Sequence, residues 1–130
     1  MSDKLPQRRS ALHRKVVGLI REAFPNFTVY EDHPVKVRLS GRDSTLYVDI
    51  VVKELNLAVE CHGRQHFEFV PHFHGSRDNF ARARERDAAK AAGLVEAGFT
   101  FLVIRFDEEE AMEMSHLLAR ITQAITETTE

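Results

Sequence analysis

Residues 45–52, Thr-Leu-Tyr-Val-Asp-Ile-Val-Val, and 57–62, Leu-Ala-Val-Glu-Cys-His, are two runs rich in apolar, β-favouring residues, separated only by the link Lys53-Glu54-Leu55-Asn56. A connection this short joins antiparallel neighbours, because a parallel pair needs a crossover of a dozen or more residues. The chain is therefore committed to a β-hairpin at its centre. Folding symmetrically about the Glu54–Leu55 bond sets Asp49 opposite Glu60, Ile50 opposite Val59 and Val48 opposite Cys61. Side chains alternate between faces along a strand, so Leu57, Val59 and Cys61 point one way, while Ala58, Glu60 and His62 share the face of Asp49. Like charges directly opposite cost roughly 0.2–1 kcal/mol. A divalent cation held by both carboxylates would remove that cost, and hard oxygen donors suit Mg²⁺. The plainer alternative is a solvent-facing sheet edge. Asp49 argues against it by interrupting the otherwise apolar run 46–52.

Around this hairpin the periodicity changes. Leu12, Val16, Leu19, Ile20 and Ala23 recur at helical spacing over residues 10–24, and Pro25-Asn26 stops them. Residues 27–30 and 35–39 read as extended pieces separated by Pro34, and 40–43 as a turn. Residues 63–75 have no clean period and read as a loop long enough to carry function. Ser76 caps a helix running to about residue 97, which Gly98 ends; 99–104 is a strand and 108–125 a final helix. The predicted order is α-β-β-β-α-β-α, an α/β protein with a central mixed sheet flanked by helices. At 130 residues one domain is expected, spanning 10–126, with a flexible N-terminal segment 1–9 and a C-terminal tail 127–130.

Composition excludes several classes. The lone Cys61 can form neither an internal disulfide nor a four-cysteine zinc site. The apolar run 99–104 is far too short to span a bilayer, and no apolar signal segment follows the charged start, so an intracellular protein without a membrane partner is expected. Up to Arg105 there are 17 Lys and Arg against 13 Asp and Glu, whereas from Asp107 onward seven acids accompany the single base Arg120. A mildly basic body can meet phosphate while the acidic end faces solvent.

The groups that carry chemistry continue past Glu60. His62, His66, His72 and His74 fall within 13 positions, and imidazole titrates near neutral pH, which makes His66 a candidate proton carrier. A zinc site drawn from Cys61, His62, His66, His72 and His74 fits no standard spacing. On the helix from Ser76, Arg82, Arg86 and Lys90 recur every four residues as a cationic stripe, to which Arg64 and Arg77 add charge; a solvated face would look the same. Asp87 lies among Phe80, Ala83, Ala91 and Leu94 on an apolar face, where a carboxylate should be paired or functional. Arg84 is its nearest sequence partner.

Asp49, then Glu60-Cys61-His62-Gly63-Arg64-Gln65-His66-Phe67, then Val70-Pro71, Phe73-His74-Gly75, Phe80, Arg86-Asp87 and Lys90, resemble the pattern of small phage-type nucleases. These are similar to very-short-patch repair endonucleases and to homing endonucleases of the same lineage, within the PD-(D/E)XK, restriction-endonuclease-like superfamily. The resemblance runs from about residue 47 to 106. It implies a restriction-endonuclease-like core, a Mg²⁺-dependent activity (Mn²⁺ substituting) against DNA phosphodiesters, and residence in a phage or its bacterial host. Carried over by position, Asp49 and Glu60 match the metal-binding acids, Gln65 and His66 the Gln-His pair, and Asp87 the helix aspartate; His62 stands where the superfamily usually has Lys. Val48 replaces the usual Pro. His13 stands near where relatives carry Glu in the first helix, a role open to Glu22 or Glu31.

The sequence-level expectation is therefore a Mg²⁺-dependent endonuclease with Asp49, Glu60, His62, Gln65, His66 and Asp87 as catalytic groups and Arg64, Arg77, Arg82, Arg86 and Lys90 as DNA contacts. Its rivals are a catalytically incomplete DNA-binding accessory protein with the same fold and a zinc-stabilised interaction module. A homodimer is conceivable because one site cuts one strand; Met112, Leu117, Leu118, Ile121 and Ile125 of the last helix would serve that contact or cover the sheet.

Overall fold

In the computed structural model, which describes residues 9–129, the central hairpin forms as its spacing requires. Strand β2 (Arg42–Val52) turns through the 3₁₀ segment Lys53–Leu55 into β3 (Leu57–His62). The register pairs Ile50 with Val59, Val51 with Ala58 and Val52 with Leu57, the pairing set by symmetry about Glu54–Leu55. Asn56, at φ 47°, closes the turn in the left-handed region that asparagine tolerates better than most residues.

Before the hairpin come α1 (Ala11–Ala23) and β1 (Val29–Leu39). Ser10 caps α1 by accepting the His13 backbone N–H at 3.0 Å. The two extended pieces expected around Pro34 are a single strand. Pro34 is tolerated because β1 lies at the sheet edge and has a partner on one side only. A two-residue turn, Ser40 (φ 51°) and Gly41 (φ 75°), joins β1 to β2; two positive φ values are the type I′ signature that matches the twist of a hairpin.

After β3 the expected loop contains a 3₁₀ turn, Arg64–His66, and a one-turn helix, α2 (Pro71–His74), started by its proline. Helix α3 (Arg77–Glu96), with Ser76 as its cap, leads to β4 (Thr100–Arg105), which pairs parallel to β3. The last helix, α4 (Met114–Thr129), starts six residues later than the pattern suggested because 106–108 form a 3₁₀ turn. Glu108 folds back there to accept the Arg105 backbone N–H, and also binds His116 and Arg120. Residues 127–129 of the expected C-terminal tail continue helix α4, which runs to Thr129. Of the expected flexible segment, residues 1–8 lie outside the described residues, while Arg9 bridges Glu31 and Asp32 at 2.8 Å each.

The result is an α/β protein with a four-stranded mixed sheet in the order β1-β2-β3-β4. Helices α1 and α4 pack on one face, against Ile50, Val52, Leu57, Val59, Leu102 and Ile104. Met112, Leu117 and Ile121 are buried there and Ile125 packs beside them, so this set covers the sheet; Leu118 is exposed. Helix α3 covers the other face, where Leu94 meets Val35, Val37, Val48, Val51 and Ala58. Gly93 lets α3 approach β1 closely: a Cβ there would sit 3.0 Å from Leu39 Cδ2 and 3.4 Å from Val37 Cβ. Among the described residues no helix is long and apolar enough to cross a membrane.

Gly93→Val should therefore lower the urea midpoint by an amount equivalent to about 1–3 kcal/mol, from overpacking between α3 and β1. Gly93→Ala should stay within about 1 kcal/mol, since better helix propensity offsets a small shift of the flexible Leu39 tip. A fully tolerated valine would contradict this packing.

Candidate active site

The hairpin ladder stops where the acids begin. Beyond Ile50–Val59 the strands exchange no further paired backbone bonds; instead the Asp49 N–H donates to Glu60 Oε2 at 2.9 Å and the Cys61 N–H donates to Asp49 Oδ2 at 2.8 Å. Each carboxylate thus takes the place of a carbonyl on the strand opposite. The expected pairing of Val48 with Cys61 does not form. Val48 pairs with His33 and packs on the α3 side, whereas Cys61 packs against the core on the α1 side. Ile50 faces α1 and Val48 faces α3, so β2 breaks its alternation at Asp49. On β1 the matching irregularity is Asp32, at φ 48°, between the pairs Glu31–Ile50 and His33–Val48.

Parted strands leave a polar cavity of about 340 Å³ lined from five directions, one of them β1 through Asp32. Tyr47, Asp49 and Glu60 come from the hairpin, Ser10 and His13 from the start of α1, Gln65 and His66 from the turn after β3, and Lys90 from α3. Lys90 leaves the cationic stripe: its Nζ donates to Glu60 Oε1 at 2.6 Å and to the Tyr47 carbonyl at 2.9 Å. His62 Nε2 lies 3.6 Å from the same Glu60 oxygen. Glu60 and His62 share the α3-facing side, as strand alternation requires.

Burial alone would raise the Glu60 carboxyl, but His62, the Lys90 ammonium and the Asp49 N–H outweigh it and hold it at about 2. Asp49 is displaced upward by burial and then by the Glu60 charge, which the Cys61 N–H, His13 and Lys90 only partly offset. Burial, followed by these carboxylates, pushes the Cys61 thiol well above its ordinary range, which makes it a poor nucleophile and a poor metal ligand.

Asp87 is paired with His66, not with Arg84: His66 Nδ1 and Asp87 Oδ2 are 2.8 Å apart. The ring of His66 stacks on His62, with centroids 3.9 Å apart and planes 12° from parallel. Among the described residues, His62, His66 and Asp87 form the one group of three or more potential metal ligands whose donor atoms lie within 4.8 Å of one another. Stacked rings, however, aim their in-plane lone pairs side by side and not at a common point, which suits a proton-handling pair better than a chelate. The other members of the five-residue zinc set lie apart. His72 is exposed, His74 bonds the Val70 backbone and packs on Phe80, and Cys61 faces the α1-side core.

Of the expected DNA contacts other than Lys90, Arg64 pairs with Glu68, Arg77 lies over the Phe69 ring, Arg82 donates to Asn79, and all three, with Arg86, are exposed. Of the two acids open to the first-helix role, Glu22 is exposed, whereas Glu31 accepts His13 Nε2 at 3.0 Å and binds Arg9 and Arg21. His13 itself is buried and lines the cavity, a role that sequence reasoning did not give it. The available signal was a histidine one turn from Val17 and two from Ile20 on the helix's apolar face.

No family model matches the chain, and no solved structure matches it significantly. Two curated viral proteins do match. Uncharacterized protein 307L of Invertebrate iridescent virus 6 is 40% identical over 53 residues, 39% of this chain and 27% of that protein. Uncharacterized protein 094L of Frog virus 3 (isolate Goorha) is 36% identical over 62 residues, 47% of this chain and 40% of that protein. The matched stretch thus spans about a quarter of one relative and two fifths of the other.

The raised Asp49 carboxyl means that its charge costs stability at neutral pH, a cost lost as the pH falls through that raised value toward the ordinary 3.8. Asp49→Asn keeps an acceptor for the Cys61 N–H and removes the charge. It should raise the thermal midpoint at pH 7 by about 2–5 °C, an advantage that disappears by about pH 3.8. Lys90→Met, which leaves the Glu60 carboxylate buried without its cation, should cost about 2–4 kcal/mol. A destabilised Asp49→Asn protein would contradict the crowding of the two acids.

Proposed function

We propose that this protein is a metal-dependent DNA endonuclease built on a restriction-endonuclease-like core. The observation that carries the reading is the meeting of Asp49 and Glu60 in one polar cavity with Lys90 and His66, whose ring is held from behind the cavity by Asp87. The element order and the mixed sheet agree with what the resemblance to small phage-type nucleases implies.

The donor set fits a hard divalent cation such as Mg²⁺. It is made of carboxylate oxygens from two acids that meet in one cavity, where the Glu60 charge adds to the burial that raises the Asp49 carboxyl. Asp49 and Glu60 would hold the ion, which supplies a more acidic bound water and neutralises charge on the phosphate. The chain's own groups do the remainder. Lys90 keeps Glu60 ionised, and Lys90 and Arg9, paired with Glu60 and with Asp32, offset part of the negative charge that the acids bring to the cavity. Asp87 accepts a hydrogen bond from the His66 Nδ1–H, which leaves Nε2 as the acceptor that would take a proton from water or return one to the leaving oxygen. His62 stacks on this ring and limits its rotation. Gln65, beside them in the cavity, has an amide able to orient a water or a phosphate oxygen.

A plasmid-nicking assay in Mg²⁺ or Mn²⁺ tests the reading. The native protein should convert supercoiled DNA, and Asp49→Ala, Glu60→Ala and His66→Ala should each lose at least about a hundredfold in rate. Equal residual cutting by all four proteins would remove the assignment. DNA binding without cutting by the native protein would favour a catalytically incomplete accessory protein instead.

A further inference from the structure

Strand β4 is the far edge of the sheet and pairs with β3 alone. The Thr100 N–H donates to the Asn56 carbonyl at 2.8 Å, so Thr100, Leu102 and Ile104 aim their backbone groups at β3, and alternation turns those of Phe101, Val103 and Arg105 outward. Two of these outward groups are satisfied within the chain. Arg120 Nη2 donates to the Val103 carbonyl at 2.7 Å, and the Arg105 N–H donates to Glu108 Oε2 at 2.9 Å. The Phe101 N–H, the Phe101 carbonyl and the Val103 N–H have no partner among the described residues. A depression flanks this open stretch on each face of the sheet. On the α3 side about 240 Å³ is lined by Phe67, Ala88, Ala91, Phe101 and Val103, and it ends on His66 and Asp87. On the α4 side about 340 Å³ is lined by Leu102, Arg120, Ala124, Glu127 and Thr128.

We propose that the β4 edge is a strand-addition site, which takes a short extended segment of another protein. The unpaired backbone groups select the kind of occupant. Only an extended polypeptide presents N–H and C=O groups at the spacing that Phe101 and Val103 offer, and an open sheet edge is a template for it. The depressions supply the places for its side chains. Successive residues of a strand point to opposite faces, so those of the added segment enter the α3-side and α4-side depressions in turn. Carbon surface from Phe67, Ala88, Ala91, Phe101 and Val103 suits an apolar side chain on the α3 side, while Arg120, Glu127 and Thr128 suit a polar one on the α4 side. A second copy of β4 is a poor occupant. A two-fold ladder through Phe101 and Val103 with more than one complete pair needs the Val103 carbonyl, which Arg120 holds while Glu108 anchors the Arg120 Nε at 2.8 Å. Glu108 closes the edge again at Arg105, so the site is short. An occupant would lie behind the His66–Asp87 pair and outside the cavity of Asp49 and Glu60, and the proposal does not depend on the nuclease reading.

The test selects binders to the full native chain from a phage-displayed heptapeptide library and studies the best synthetic peptide by fluorescence anisotropy and by amide hydrogen exchange. In the free protein the Phe101 and Val103 amides should exchange at least about tenfold faster than those of Leu102 and Ile104. Peptide should slow both outward amides by at least about tenfold. Methylating the peptide's alternate backbone nitrogens should weaken binding by about tenfold or more, a measurement that needs no protein variant. Val103→Pro removes one outward N–H, which an edge strand tolerates, and Ala88→Phe fills the α3-side depression from an exposed position; each should weaken binding by a similar factor. Failure to select any peptide, binding that leaves the Phe101 and Val103 amides unprotected, or indifference to N-methylation on both sets of alternate nitrogens would each overturn the proposal. A native dimer with those two amides already protected would overturn it in favour of a second copy. None of these results bears on plasmid nicking.

Discussion

Two backbone N–H groups, those of Asp49 and Cys61, are satisfied by carboxylates from the facing strand where a regular ladder would offer carbonyls. That exchange decides the shape of everything near it. It ends the β2–β3 ladder at Ile50–Val59, shifts the alternation of β2 so that Val48 and Ile50 serve opposite cores, and parts the strands enough to open a cavity between α1 and α3. A buried acid facing another acid is expensive unless its hydrogen bonds are complete and a cation is near. Here the backbone completes the bonds and Lys90 brings the cation across from α3. Thus the feature that breaks sheet regularity also creates the candidate site.

The surrounding elements serve that arrangement. Helices α1 and α4 bury one apolar face of the hairpin, and α3 buries the other while delivering Lys90 and Asp87 from the same helix, three residues apart. Residues that far apart lie on neighbouring positions of one helical face. The Arg21–Glu31 ion pair and the His13–Glu31 bond tie β1 to α1, and Arg9 adds a further ion pair to Glu31 beside the cavity. The proposed endonuclease therefore has acids at the sheet and proton-handling and cationic groups on the elements packed against it.

Much of this was legible in the amino-acid order because its cause is local. A four-residue link forces the hairpin, two-residue alternation puts Glu60 and His62 on one face, and an aspartate among Phe80, Ala91 and Leu94 demands a partner. What escaped was set by tertiary contact. Lys90 reads as one member of a surface stripe until α3 is laid across β2 and β3. Asp87 has Arg84 as its nearest partner in sequence, but the chain after β3 brings His66 to it from 21 residues away. The late start of α4 depends on Glu108 turning back to Arg105, His116 and Arg120, which no helical period encodes. The Val48–Cys61 pairing failed because symmetry arguments assume an unbroken ladder, and the acids at its centre break it.

The most direct measurement of the central claim is a carboxyl-carbon NMR titration of Asp49 and Glu60 in the native protein, with and without Mg²⁺. The account predicts that Asp49 protonates above the ordinary aspartate value of 3.8 while Glu60 stays ionised down to about 2, and that added Mg²⁺ draws the Asp49 titration downward. Both groups titrating at ordinary carboxylate values, with no response to Mg²⁺, would contradict it.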